Sequence, residues 1–252
     1  MSALTPAPTA LLIGASSGIG EALARKLAQE GYHLALVARR AELLEALCAE
    51  INTKHGAGRA QAYTHDVTHY SEAPALFQKI LADLGRLDLI VYNAGVQFPV
   101  KLDEYDFAKD QQMMAVNALG AMAWLNLAAQ FCERAGGGHI VGVSSVAGDR
   151  GRVGAPGLNT SKAALSTFLE ALRNRLTRKG VHVLTVKPGM VATEMLKAAE
   201  RVIWVVTPEQ VANDVWKAIR ARQQVIYTPA RWGLMLFVIR NLPSFIFRRL
   251  KI

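Results

Sequence analysis

Three glycines and two serine hydroxyls fall within the stretch Gly14-Ala15-Ser16-Ser17-Gly18-Ile19-Gly20, which follows the apolar run Leu11 to Ile13 and opens a helical pattern through Leu23 and Leu27. Glycines at such a junction permit a tight turn, a close approach of backbone to a pyrophosphate and close helix–strand packing, while the helix N-terminus offers unpaired N–H groups to the anion. The spacing G-x-x-x-G-x-G differs from the commoner G-x-G-x-x-G. It is the strand-turn-helix setting that makes Gly14, Ser16, Ser17, Gly18, Ile19 and Gly20 candidates for holding a dinucleotide. At the end of the next apolar run, where a carboxylate would accept a hydrogen bond from the adenosine ribose 2′-hydroxyl, the chain has Ala38 followed by Arg39 and Arg40. Two guanidinium groups without an acid suit a 2′-phosphate, so the pair points to NADP(H) over NAD(H). Cations at a helix start are otherwise unfavourable.

The elements that must position these groups follow from the hydrophobic pattern. Strand-like runs at Leu11 to Ile13, His33 to Ala38, Ala60 to Tyr63, Leu87 to Tyr92, His139 to Val143 and Val181 to Val186 alternate with helical stretches, among them Ala75 to Leu84, Gln111 to Arg134 and Ser161 to Thr177. This alternation predicts an α/β fold: a single doubly wound Rossmann-type domain with a parallel sheet, helices on both faces and ligands at the carboxyl ends of the strands. No boundary rich in Pro, Gly or Ser interrupts it. The expected organisation is one domain over residues 1–228 followed by a basic, apolar C-terminal segment over 229–252.

A chain of 252 residues, 51% hydrophobic and 19% charged, has material for a large core and is neither a disordered tail nor a fibrous repeat. Cys48 and Cys132 lie apart in apolar helical patterns, and His65 and His69 have no third ligand by spacing, so no metal site is expected. The cysteine usage suits a reducing, cytoplasmic compartment. The longest apolar run, Trp232 to Ile239, falls short of the roughly 20 residues of a spanning helix, and no basic segment precedes an apolar core at the N-terminus. The net charge of +9 is concentrated at one end: no acidic residue follows Asp214, whereas Lys217, Arg220, Arg222, Arg231, Arg240, Arg248, Arg249 and Lys251 do. These cations are interleaved with aliphatics, which argues against a nucleic-acid surface. Two short apolar helices with basic ends, Gly233 to Ile239 and Phe245 to Phe247, would instead lie on an anionic membrane surface with Trp232 at the boundary, making the protein peripheral to the membrane. The rival reading packs them against the domain or a second subunit.

Further along the chain stand Asp66-Val67 after the third strand, Tyr92-Asn93-Ala94-Gly95 after the fourth, Asn117, Ser144-Ser145 after the fifth, Ser161-Lys162, and Lys187-Pro188-Gly189 after the sixth. In order and spacing, from about Ala10 to Thr193, these and the glycine turn resemble the short-chain dehydrogenases/reductases. The resemblance implies that Asp66 and Val67 hold the adenine, that Asn93, Ala94 and Gly95 support the cofactor, and that Pro188, Gly189, Val191 and Thr193 embrace the nicotinamide. It also implies a catalytic set. A Tyr four residues before a Lys donates the proton, the Lys lowers its pKa and binds the ribose, a Ser polarises the carbonyl and an Asn anchors a water chain. Asn117, Ser145 and Lys162 occupy three of those places, and Leu158 occupies the fourth. No shift of register restores the phenol, because the chain has no tyrosine between Tyr105 and Tyr227.

Leucine donates no proton, and general acid catalysis is typically worth about 10²- to 10⁴-fold. Two classes of function follow. One is an NADP(H)-dependent oxidoreductase, a carbonyl reductase or secondary alcohol dehydrogenase weakened or stopped at Leu158, with a water beside Lys162 as substitute donor. The other is a catalytically silent NADP(H)-binding protein. Retention of Asn117, Ser145 and Lys162 together favours the first. Met190, Met195, Leu196, Ile203, Trp204, Val205 and Val206, with Gln97 and Phe98 facing them, predict a pocket for a small apolar ketone or alcohol. Met113, Met114 and Trp124 read as core or subunit contact. In the family resembled, helices equivalent to Gln111 to Arg134 and Asn159 to Thr177 commonly pair subunits, which implies a homo-oligomer, dimer or tetramer.

Overall fold

Runs such as Thr9–Ile13 and Leu89–Tyr92 are buried at every position, which a parallel sheet satisfies only when both its faces are covered. The computed structural model describes residues 7–198 and 202–250. It arranges β1 (Thr9–Ile13), β2 (His33–Ala38), β3 (Ala60–Thr64), β4 (Leu89–Tyr92), β5 (Gly138–Val143), β6 (Val181–Pro188) and β7 (Val225–Thr228) as one parallel sheet of order β3-β2-β1-β4-β5-β6-β7. This is the doubly wound sheet expected, with β7 added at an edge. The order reverses between β1 and β4, where Leu11 stands opposite both Ala35 and Ile90, and a crevice opens at the carboxyl ends there.

One face is covered by α1 (Gly18–Gln29), α2 (Ala41–His55) and α7 (Pro208–Arg220), whose Leu23, Leu44 and Val215 pack with Leu12 and Leu36 of the sheet. The other face carries α3 (Ala73–Leu84), α5 (Ala121–Ala135) and α6 (Pro156–Leu176), packing Phe77, Trp124 and Leu169 on Leu11 and Ile13. The preceding α4 (Phe107–Met114) runs into α5 through a π-helical turn, Ala115–Gly120, which the helical periodicity of the sequence does not reveal. Such turns concentrate at functional sites, and this one holds Asn117. The continuous helix Phe107–Ala135 is long and apolar enough to cross a membrane, with mean hydropathy 1.2, although no unbroken apolar run marks it. Trp124 and Leu125 on it are completely buried against the sheet, so it serves here as a core helix. Cys48 and Cys132 are buried and free, and burial pushes each thiol up to about 11, leaving both unreactive near neutral pH.

His139 and His182 face each other in the β5–β6 register, with their Nδ1 atoms 3.0 Å apart, and His182 Nε2 lies 2.7 Å from the Gln223 carbonyl. A carbonyl only accepts, so Nε2 of His182 carries the proton, its Nδ1 accepts, and Nδ1 of His139 donates. Burial pushes His139 down to about 4 and also lowers His182. An unfolded histidine titrates near pH ~6.5, so between there and the folded value the unfolded chain binds more protons, and stability falls as pH drops through that window. The urea midpoint is therefore expected to decline more steeply from pH 7 to pH 4.5 in the native chain than in a His139→Gln, His182→Gln double variant. Equal slopes would contradict this account of the pair.

Candidate active site

The glycine turn is fixed from below by the end of β4. Gly14 has φ +88°, and any side chain there would overlap the Ala94 backbone. Asn93 Nδ2 donates to the Gly14 carbonyl at 2.8 Å, and a Cβ on Gly20 would overlap that same carbonyl. Ser17 caps α1 in backbone position only. Its hydroxyl makes no cap bond, so the first-turn N–H groups lie uncapped beside the crevice. Arg40 Nη2 instead donates to Ser16 Oγ at 3.0 Å and Ser17 Oγ at 2.5 Å. Arg39 is exposed, with Nη1 3.4 Å from Asp66 Oδ2. Partial burial opposes ionisation of Asp66, but hydrogen bonds from Thr68 and the nearby Arg39 outweigh it and hold the carboxyl below its usual pKa. The guanidinium groups of Arg39 and Arg40 thus flank the turn, the first paired with Asp66.

From this turn a cavity of about 790 Å³ runs to the start of α6. Every residue predicted to hold the cofactor lines it except Gly20, which packs on Gly14, and Asp66, which pairs with Arg39. Ser145, Leu158 and Lys162 line its far end. Ser145 caps the short 3₁₀ turn Val146–Asp149, its Oγ accepting from Ala147 N at 3.0 Å and lying 3.5 Å from the Pro188 carbonyl. Asn117 does not line the cavity. Wholly buried, it accepts from Val96 N at 2.8 Å and donates at 3.0 Å to both Val96 O and Ser161 Oγ. Lys162 Nζ donates to the Val143 carbonyl at 3.0 Å, and burial pushes its ammonium down to about 8. Lys162 Nζ and Asn117 Oδ1 converge beside Gly95, each 3.3 Å from where a Cβ would sit. Leu158 is buried with Met113 and Ala147, and Phe98 packs alongside. None of the six tyrosines lines the cavity; Tyr92 donates to the Val116 carbonyl and Tyr227 to Asp149.

Asp149 anchors the Ser145 turn. Its buried carboxylate pairs with Lys187 Nζ on β6 and accepts from Tyr227 on β7 at 2.7 Å. Beyond β7, α8 (Arg231–Asn241) lays Trp232 and Leu236 against Val146, and Trp232 sits so close to Gly189 that any side chain there would strike the indole. Arg150 donates to the carbonyls of Ile239 and, at 2.8 Å, Leu242, and stacks 3.9 Å over Phe247 of α9 (Ser244–Phe247). Trp232, expected at a membrane boundary, is instead part of the cavity wall. Sequence reasoning did not place it there, because it lies far along the chain from the motifs, and it passed over Arg152, which stands between Ser145 and Leu158 but belongs to no motif. Of the predicted substrate residues, Gln97, Met190, Met195 and Leu196 line the cavity, Val206 is buried in the core, and Ile203, Trp204 and Val205 are exposed. His65 and His69 meet edge to face, and no group of metal ligands occurs among the described residues.

The sequence profile of the family described as short chain dehydrogenase matches residues 8–203. The chain belongs to that family. It is 39% identical over 189 residues to an uncharacterized oxidoreductase of Myxococcus xanthus, covering 74% of this chain and 73% of that protein. To the ketoacyl reductase HetN of Nostoc sp. it is 33% identical over 217 residues, covering 84% and 75%. Its fold is similar to that of actinorhodin polyketide ketoreductase with NADPH, at TM-score 0.82 and 26% identity, over 90% of this chain and 97% of that one. Short-chain dehydrogenases are oxidoreductases that use NAD(P)(H). The cleft of this short-chain dehydrogenase fits such a cofactor, with uncapped N–H groups at α1 for a pyrophosphate and glycines wherever a side chain would intrude on the turn.

Proposed function

We propose that this short-chain dehydrogenase is an NADP(H)-dependent oxidoreductase interconverting an apolar ketone and its secondary alcohol, slowed or stopped because Leu158 stands where the family's proton-donating tyrosine would. The observation that carries this reading is that Ser145, Lys162 and Leu158 share one cavity with the glycine turn while no tyrosine reaches it. Arg39 and Arg40 would hold the 2′-phosphate and the α1 N-terminus the pyrophosphate. When bound, the cofactor supplies the hydride. Ser145 Oγ, at the mouth of its turn, is the group available to polarise a carbonyl. Lys162, still cationic at neutral pH, favours negative charge nearby and would lower the pKa of a phenol placed beside it. Leu158 offers only methyl groups, so the proton must come from water held by Lys162 or Ser145. That deficit corresponds to about 3–5 kcal/mol of barrier.

A silent NADP(H)-binding protein would use the same cavity, and one substitution separates the two readings. Leu158→Tyr is expected to raise reduction of apolar ketones by about 10²-fold or more with NADPH affinity unchanged. A folded, NADPH-binding variant that turns over no member of a broad ketone panel would favour the silent binder.

We also propose that the outer side of α8 and α9 rests on an anionic membrane surface. Leu234, Phe237, Val238, Phe245 and Ile246 are exposed there, beside Arg231, Arg240, Arg248 and Arg249. With Trp232 turned inward, the phenylalanines make the contact. The full chain should co-sediment with phosphatidylserine-containing vesicles at low salt and be released by high salt. Phe237→Glu combined with Phe245→Glu should abolish binding while sparing NADPH affinity. Protein that stays in the supernatant at low salt would overturn the assignment.

A further inference from the structure

Besides the ring nitrogens of His65, next to Asp66, two buried side-chain N–H donors lining the cavity find no acceptor among the described residues: Nε of Arg152 and Nε1 of Trp232. Arg152 lies between the Ser145 turn and α6, and its backbone is pinned there, its carbonyl accepting from Asn159 Nδ2 at 3.1 Å. Burial alone lowers the pKa of its guanidinium, since no carboxylate of the described residues reaches it. Trp232, 4% exposed, is fixed by its packing on Gly189 and Val146. Buried arginines are ordinarily paired, and a buried donor without an acceptor is costly, so a cation and an indole N–H left without partners in one cavity call for an acceptor from outside. The cofactor's phosphates belong to the other end, at Arg39, Arg40 and α1. The lining Arg152 shares includes the apolar Ala155, Leu158, Met190 and Leu196. A single guanidinium in such a wall matches one planar, singly charged carboxylate better than a strongly hydrated phosphate dianion.

We propose that the substrate is an oxo acid or hydroxy acid with an apolar body, its carboxylate held by the Arg152 guanidinium and the Trp232 N–H donating to an oxygen of the same molecule. This rests on the oxidoreductase reading and narrows its substrate from any apolar ketone to an amphipathic acid.

The test is calorimetric titration of the NADPH-loaded full chain with octanoate and with methyl octanoate, which share a body and differ in charge. Octanoate should bind about tenfold or more tightly than its ester; Arg152→Gln should remove that preference, and Arg152→Lys should retain part of it. Equal affinity for acid and ester in the native chain, or a preference that survives Arg152→Gln, overturns the proposal, and the native comparison decides alone if the variant does not fold. A Leu158→Tyr enzyme that reduces 2-octanone as efficiently as 7-oxooctanoate removes the acid specificity and leaves the oxidoreductase reading standing. Octanoate held through Arg152 in a chain whose Leu158→Tyr variant reduces neither compound supports the anion site and removes the oxidoreductase reading instead.

Discussion

The approach of the glycine turn to the end of β4 sets the position of almost everything else. The Ile13 carbonyl accepts from the backbone N–H groups of both Asn93 and Ala94, and Asn93 returns a side-chain hydrogen bond to Gly14. With those bonds made there is no room for a Cβ at Gly14 or Gly20, so α1 begins where its free N–H groups border the crevice. The same bonds fix Ala94 and therefore Gly95, beside which Lys162 Nζ and Asn117 Oδ1 converge. The phosphate end and the chemical end of the cavity are thus set by one contact at the switch point of the sheet.

The far wall depends on a different kind of interaction. Asp149 is buried, and its charge is tolerated because Lys187 pairs with it and Tyr227 donates to it. Breaking such a pair by removing one partner typically costs about 3–5 kcal/mol, because the other charge is left buried and unpaired. That cluster ties the turn carrying Ser145 to the last two strands, and Arg150 ties the same turn to the C-terminal carbonyls of α8. The C-terminal helices therefore turn one side, Trp232 and Leu236, to the site while leaving Leu234 and Phe237 outside.

Much of this was legible in the sequence because its causes are local. Period-two and continuous apolar runs located six of the strands, the strand-turn-helix setting identified the glycine turn, and the spacing back from Lys162 exposed Leu158. What escaped has causes distant in the chain. Three of the four residues of β7 are partly or fully exposed, and the segment becomes a strand only by pairing with β6. The π turn at Asn117 adds no apolar residue out of phase, so periodicity passes over it. Helix α8 is apolar on nearly every side, which gives no inward face to read, and Trp232 declares itself only through its contact with Gly189. Arg152 belongs to no motif, and what marks it is a buried Nε without an acceptor among the described residues.

On the proposed function, the nucleotide half of the site is intact and tuned to a 2′-phosphate even though Leu158 stands where the family's proton donor would. Fluorescence titration of the native chain with NADPH and with NADH tests it directly, since binding does not require the missing acid. The structure predicts NADPH affinity at least about tenfold higher, through Arg39 and Arg40 beside the turn. Equal affinity for the two nucleotides, or no binding of either, would contradict it.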